Sequence, residues 1–197
     1  MAESLRVRPA TAADAAETAA CQLTCYRAAY AHILPAERLQ SPTLKKEFLE
    51  GRRQRYSTAP AIHLVLEGPD GSGGRAVLGF SDAGPLRPYP TLRPQVAAAT
   101  EAAATLELWT LYVHPGLRGH GGGPLLFAGA VEALGQRHPD SPRLVVLTFE
   151  ANAPARRRYE RLGGRLFGTL YGYELWGRDY RVACYEWLPA AAAQRRT

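Results

Sequence analysis

The chain has 197 residues, 46% of them hydrophobic, and carries a formal charge of +6 with a pI of about 9.5. That length suits one well-packed domain and is short for two. No apolar run approaches the roughly 18 residues of a membrane span, and the opening MAESLRVRPA is unlike a signal peptide, so the expectation is a soluble, cytoplasmic protein. The charge would suit an anionic partner such as a phosphorylated cofactor or a nucleic acid. Nearly all basic residues are arginine, however, and alanine is abundant, a bias that a GC-rich genome also produces. Cys21, Cys25 and Cys184 are odd in number and lack metal-ligand spacing, which predicts reduced, buried thiols and no zinc site.

In chain order, LRVRPAT alternates as a short first strand, and Thr11 or Asp14 can cap the alanine-rich helix that follows. Cys21 and Cys25 are four apart and share a face of that helix. ILPAERLQSP breaks it, and Leu44 to Tyr56 reads as a second, charged helix. AIHLVLEGPDGSGGRAVLGFSDA places two apolar runs around a Gly/Asp/Ser turn, the pattern of a hairpin. PLRPYPTLRPQVAAATEAAAT is rich in proline and alanine and reads as a long, partly helical loop. TLELWTLYV is a strand, and Pro124 to His138 a helix with Phe127, Ala130, Val131 and Leu134 on one face. RLVVLTFE is a continuous apolar strand suited to a sheet covered on both faces. NAPARRRYERLGG is a short helix ended by glycine. RLFGTLYGYELWGRDYRVACYEWL supplies two more strands, and residues 190–197 form a disordered tail. The basic runs Arg52 to Arg55 and Ala155 to Arg161 read as solvated helix faces.

Between TLELWTLYV and the next helix, Arg118 stands beside Gly119, Gly121, Gly122 and Gly123. Strand, Gly-rich loop and helix is the arrangement in which unpaired backbone N–H groups and the helix dipole face an anion, and Arg118 adds a donor suited to phosphate. A Walker loop needs Gly-Lys-Ser/Thr, but Gly123 is followed by Pro124 and Leu125. The dinucleotide pattern G-x-G-x-x-G starts at Gly119 and Gly121 but meets Pro124 where its third glycine belongs. What remains is Arg-x-x-Gly-x-Gly, introduced by LYVHP. This resembles the acyl-CoA pyrophosphate loop of the GNAT superfamily of N-acetyltransferases. NAPARRRYERLGG, about thirty residues on, resembles that family's next motif, with Asn152, Ala155, Tyr159 and a Leu-Gly turn. The order of predicted elements also matches from Leu5 to about Leu188. Gly122 replaces a bulky apolar residue usual in the family, and Gly164 stands where an aromatic often follows Leu-Gly.

The resemblance implies an α/β (α+β) fold: a mixed, mostly antiparallel six- to seven-stranded sheet flanked by helices, in one domain over residues 1–189. It implies acetyl-CoA as co-substrate, no metal, and direct transfer to a primary amine in a ternary complex. The backbone of Leu111, Tyr112 and Val113 would meet the pantetheine arm, with the Val113 N–H as oxyanion donor. Arg118 and Gly119, His120, Gly121, Gly122 and Gly123 would hold the pyrophosphate, and Asn152 the cofactor arm.

Tyr159, seven residues after Asn152, lies about two helical turns on and nearly on the same face; it is the candidate general acid for the thiolate. Glu107 is the candidate base, with solvent exposure or pairing to an arginine as the alternative and a base acting through water, or none, left open. Trp109 shares Glu107's face and lines the acceptor pocket or packs in the core. His114 and His120 read as surface residues; His32, His63 and His138 show no metal spacing. Cys184 as nucleophile has no adjacent base to support it.

A rival reading is a non-catalytic acyl-CoA-binding regulatory module. A nucleic-acid binder ranks last, since the arginine clusters lack interleaved aromatics. In the family the acceptor is shaped by segments that correspond here to ILPAERLQSP and PLRPYPTLRPQVAAATEAAAT. Their few carboxylates, chiefly Glu37 and Glu101, count against a polycationic acceptor. Amino acids, small amines, peptide N-termini and antibiotic-like amines stay open, as do longer acyl donors and a monomer or homodimer.

Overall fold

A computed structural model describes residues 5–57, 61–89, 105–141 and 143–187. In chain order the elements are β1 (Arg6–Pro9), α1 (Ala15–Tyr30), α2 (Ala36–Leu39), α3 (Leu44–Tyr56), β2 (Ile62–Pro69), β3 (Arg75–Pro85), β4 (Thr105–Val113), α4 (Gly122–Arg137), β5 (Arg143–Phe149), α5 (Ala153–Arg161), β6 (Arg165–Leu175) and β7 (Arg178–Trp187). The strands make a seven-stranded, mostly antiparallel sheet in the order β1-β2-β3-β4-β5-β7-β6, as expected, with β4 and β5 parallel. Most of the loop predicted between β3 and β4, and the tail at 190–197, lie outside the described residues. No helix among the described residues is long and apolar enough to cross a membrane.

The chain forms two compact units, Met1–Ala83 with Thr110–Leu134, and Gly84–Trp109 with Gly135–Thr197. In the first, the hairpin β2–β3 turns where the sequence predicts it: the Asp70 carboxylate accepts from the N–H groups of Ser72 and Gly74. α1 starts where Asp14 accepts from the Thr11 N–H and hydroxyl, satisfying donors that a helix start leaves open. Cys21 and Cys25 do share a face, and they pack on Val65, Val77 and Phe80. The three cysteines are free and buried. Tyr26, Tyr30, Phe48, Phe80 and Tyr112 interlock beside them with ring centroids 4.9 to 6.4 Å apart, and the Tyr30 and Tyr112 hydroxyls bond at 2.8 Å.

In the basic run on α3, Arg53 and Arg55 are exposed as expected, but Arg52 corrects the expectation. Arg52 is not on a solvated face; it is 1% exposed. Its Nη1 bonds Asp82 at 2.5 Å and its Nε donates to Gln22, while the guanidinium lies 4.1 Å from the Phe80 ring centroid. Asp82 is also bonded to His63 at 2.7 Å and accepts from the Thr110 hydroxyl at 2.7 Å. Burial opposes the charge on Asp82, but Arg52 and these hydrogen bonds outweigh it and hold its carboxyl well below the usual range. The network ties α3 and β2 to β3 and β4 by charge where the helix offers few apolar side chains.

In the second unit β5 is buried along most of its length, as its apolar run predicts, and pairs with β7, which pairs with β6. Cys184 on β7 is fully buried; burial and the charge of Glu107 push its thiol up to about 12, away from nucleophilic use.

Candidate functional site

β4 carries five of the residues singled out by sequence, and among the described residues its pairing to β5 stops short of its end. Parallel pairing to β5 covers only Thr105, Leu106 and Glu107, opposite Arg143, Leu144 and Val145. Further along, the His114 N–H donates to Leu78 on β3 at 2.8 Å. Backbone groups of successive residues face opposite edges of a strand, so the N–H and C=O of Val113 point away from β3. Leu111, two residues earlier, has the same orientation. The Val113 carbonyl accepts from the Cys25 thiol at 3.5 Å. The side chain of Tyr112 turns into the aromatic core, so only its backbone remains for a ligand.

After β4 the turn Pro115–Leu117 leads into the glycine loop. His114 Nδ1 accepts from the Gly116 N–H and thereby shapes this turn. Gly119 has φ 86 and Gly121 φ 80, a left-handed backbone that costs a side chain with Cβ strain. α4 begins at Gly122, two residues before Pro124, and its first helical bond runs from the Leu125 N–H to the Gly121 carbonyl at 3.2 Å. The first-turn N–H groups of Gly122 and Gly123 therefore have no helical acceptor. Arg118 and His120 are exposed, and the His120 ring bonds the Arg118 carbonyl, as expected of a surface residue.

Gly122 is glycine for a packing reason. A Cβ there would come within 2.8 Å of Leu66 Cδ2, with Val113 and Leu5 close behind. Those side chains fill the space, and α4 rests its start on them. Leu126, Phe127, Ala130 and Leu134 bury the helix face, while Val131, predicted to join it, is half-buried at its border.

In the second unit Asn152 caps α5: its side-chain oxygen accepts from the Ala155 N–H at 3.3 Å, and the residue is 5% exposed. Tyr159 lies two turns on, with its ring 5.8 Å from that of Tyr185 and 6.0 Å from that of Trp187. Burial pushes its phenol up to about 12, and its hydroxyl has no partner among the described residues. α5 ends as Gly164 donates to the Tyr159 carbonyl at 2.9 Å. A Cβ on Gly164 would stand 2.6 Å from the Trp187 ring, so Trp187 supplies the aromatic that the sequence lacks after Leu-Gly.

Glu107 is 0% exposed and fully engaged. Its carboxylate accepts from Arg87 Nη2 at 2.6 Å, from Arg87 Nε, from the Arg87 N–H at 3.0 Å and from the Tyr89 hydroxyl at 2.8 Å. Pairing with an arginine was one of the two alternatives for this residue, and it is the one the fold adopts. Tyr89 and Arg87 were not singled out by sequence; they lie in a proline-rich segment with no periodicity to mark them. Trp109 is half-buried, its Nε1 donates to the Pro85 carbonyl at 3.1 Å, and its ring packs on Gly84. Replacing Glu107 with glutamine should cost about 2 kcal/mol of stability, since it leaves Arg87 beside an uncharged amide. Chemical denaturation checks this, and a change under ~0.5 kcal/mol would show the pair to be incidental.

No curated protein matches the chain in sequence. Solved structures share its fold. The PaiA N-acetyltransferase of Thermoplasma acidophilum, in complex with coenzyme A, is 15% identical with a TM-score of 0.64, covering 94% of this chain and 99% of that one. Arabidopsis thaliana NAA60, in complex with a bisubstrate analogue, is 16% identical with a TM-score of 0.64 and covers 94% and 98%. The acetyltransferase yncA of Salmonella typhimurium, with its cofactor acetyl-CoA, is 19% identical with a TM-score of 0.61 and covers 94% of each chain. The model of the acetyltransferase (GNAT) family matches residues 36–164, from α2 through the glycine loop to the turn after α5. With that match over more than half its length, the chain belongs to the acetyltransferase (GNAT) family.

Proposed function

We propose that the protein transfers the acetyl group of acetyl-CoA directly to a primary amine. The observation that carries this reading is the end of β4 with its glycine loop: outward backbone at Leu111 and Val113, two left-handed glycines, and open N–H groups at the start of α4 behind Arg118. Such an array suits a pyrophosphate followed by an extended arm. Neighbours of the same fold hold acetyl-CoA, coenzyme A and a bisubstrate analogue, which supports the same ligand here.

In this reading Gly119 to Gly123 and Arg118 bind the pyrophosphate, and Leu111 to Val113 and Asn152 bind the arm. The neutral amine attacks the thioester carbonyl, forming the C–N bond. The Val113 N–H donates to the oxygen as it gains charge, worth roughly 3 kcal/mol for one well-placed donor. Collapse breaks the C–S bond, and Tyr159 hands its proton to the departing thiolate. Glu107 takes no part in proton transfer because its lone pairs are occupied; the ammonium proton of the acceptor leaves to solvent.

The test is thiol release from acetyl-CoA across a panel of amines, amino acids and peptides, with acetyl-CoA binding measured separately by calorimetry. Acceptor-dependent release is the expected result. Binding without release for any acceptor would make the protein an acyl-CoA-binding module instead.

A further inference from the structure

Within the first unit, Thr110, the residue before Leu111, is held by its side chain and its backbone at once. Its hydroxyl donates to Asp82 Oδ2 at 2.7 Å and accepts from the Asp82 N–H at 2.9 Å, so its donor and an acceptor site are both spent on one residue of β3. Its carbonyl accepts from the Ser81 hydroxyl at 3.0 Å. Ser81 and Asp82 are both buried. The carboxylate that receives the Thr110 hydroxyl is itself fixed: Arg52 Nη1 holds the same oxygen at 2.5 Å, and His63 holds the other at 2.7 Å. A buried ion pair often adds little net stability over apolar residues of the same volume. What this one fixes is a carboxylate oxygen, and through it Thr110.

We propose that Ser81, Asp82 and Thr110, anchored by Arg52, are positioning residues that aim the Leu111 N–H at a carbonyl oxygen of the acyl-CoA arm. This rests on the acetyl-CoA reading above and deepens it. The geometry runs through one peptide. In a trans peptide the C=O and the following N–H point in opposite directions, so a Thr110 carbonyl drawn to Ser81 on β3 turns the Leu111 N–H away from β3.

Two physical effects follow. Bonds to both the hydroxyl and the carbonyl of Thr110 remove the freedom of that peptide plane before a ligand arrives, which lowers the ordering cost of binding. The Ser81 hydroxyl also polarises the carbonyl it bonds, and along a chain of hydrogen bonds this makes the N–H of the same peptide the stronger donor. Arg52 and Asp82 supply the rigidity, Ser81 the polarisation, and Leu111 the contact. Every member of the set lies in the first unit, as does the glycine loop that follows β4.

The test reads the arm separately from the phosphates. Calorimetry gives the Kd of acetyl-CoA and of 3′-phospho-ADP, which is coenzyme A without its arm, for wild type, Ser81→Ala, Thr110→Val and Thr110→Ser. Ser81→Ala and Thr110→Val should each weaken acetyl-CoA about five-fold, the effect of one misdirected hydrogen bond, and leave 3′-phospho-ADP unchanged. Thr110→Ser keeps the hydroxyl and should stay close to wild type. Amide exchange followed by NMR gives a second readout: in wild type the Leu111 N–H should exchange about ten-fold more slowly with acetyl-CoA bound, and Ser81→Ala and Thr110→Val should lose most of that protection. A purely structural network would weaken both ligands alike or neither, which overturns the assignment. A Leu111 amide whose exchange ignores bound acetyl-CoA overturns it too. Should Thr110→Val not fold, Ser81→Ala, which leaves the ion pair in place, carries the comparison; should 3′-phospho-ADP bind too weakly to read, the exchange of Leu111 decides. Failure of wild type to bind acetyl-CoA would instead remove the acetyl-CoA reading and this assignment with it.

Discussion

The double variant Arg118→Ala, Gly121→Val should bind acetyl-CoA about 100-fold more weakly than wild type while its fold survives. Two separate losses combine. Removing Arg118 deletes a charge-assisted donor to phosphate, roughly 1.5 to 3 kcal/mol. Valine at position 121 must adopt φ 80, a conformation costing a β-branched residue on the order of 1 to 3 kcal/mol, so the loop moves and its N–H groups no longer converge. Together these reach about 3 kcal/mol, or two decades in Kd. A Cβ at position 121 meets nothing within 4 Å, so the core under α4 is untouched and the melting temperature should fall by only a few degrees. Calorimetry with acetyl-CoA decides the matter: an unaltered Kd would dismiss the pyrophosphate loop as a ligand site. Gly122→Val should behave differently, because its side chain collides with Leu66 and lowers stability as well as binding.

Tyr159→Phe should lower kcat by about 100-fold, the usual effect of losing a positioned proton donor, and leave the Kd for acetyl-CoA within a few-fold of wild type. The hydroxyl has no partner among the described residues, so stability should change little. The pH dependence follows from burial. A phenol pushed up to about 12 stays protonated through the neutral and mildly alkaline range, so the donor is present there and is lost only as pH rises towards 12. Turnover should therefore show no tyrosine-dependent fall below about pH 10. Equal kcat in the two proteins would assign the thiolate's proton to another donor.

The glycine loop and the α5 motif were legible because their chemistry is local. Gly119 and Gly121 need a backbone conformation that the residue type itself permits, and Asn152 and Tyr159 are related by helical geometry alone. The hairpin at Asp70 and the apolar β5 were legible for the same reason. Gly122 and Gly164 looked like departures from a family pattern until their neighbours were placed: Leu66 is 56 residues from the first and Trp187 is 23 from the second. Nothing near either glycine announces those partners. Within the run Arg52 to Arg55 only Arg52 departed from the expected solvated face, since it finds Asp82 and Phe80 once α3 is laid on β3.

The amino-acid sequence by itself determined the class of fold, the strand–glycine loop–helix unit and the hairpin at Asp70, because hydrophobic period, helix caps and glycine torsions act over a few residues. Only the tertiary structure decided which partners Glu107 takes. Arg87 and Tyr89, 20 and 18 residues earlier, bring their donors to its carboxylate, pairing the candidate base with a half-buried arginine. Such a pairing depends on how two distant segments meet. A charged side chain on a strand will take whichever partner the packing delivers to it, and no local pattern records which one that is.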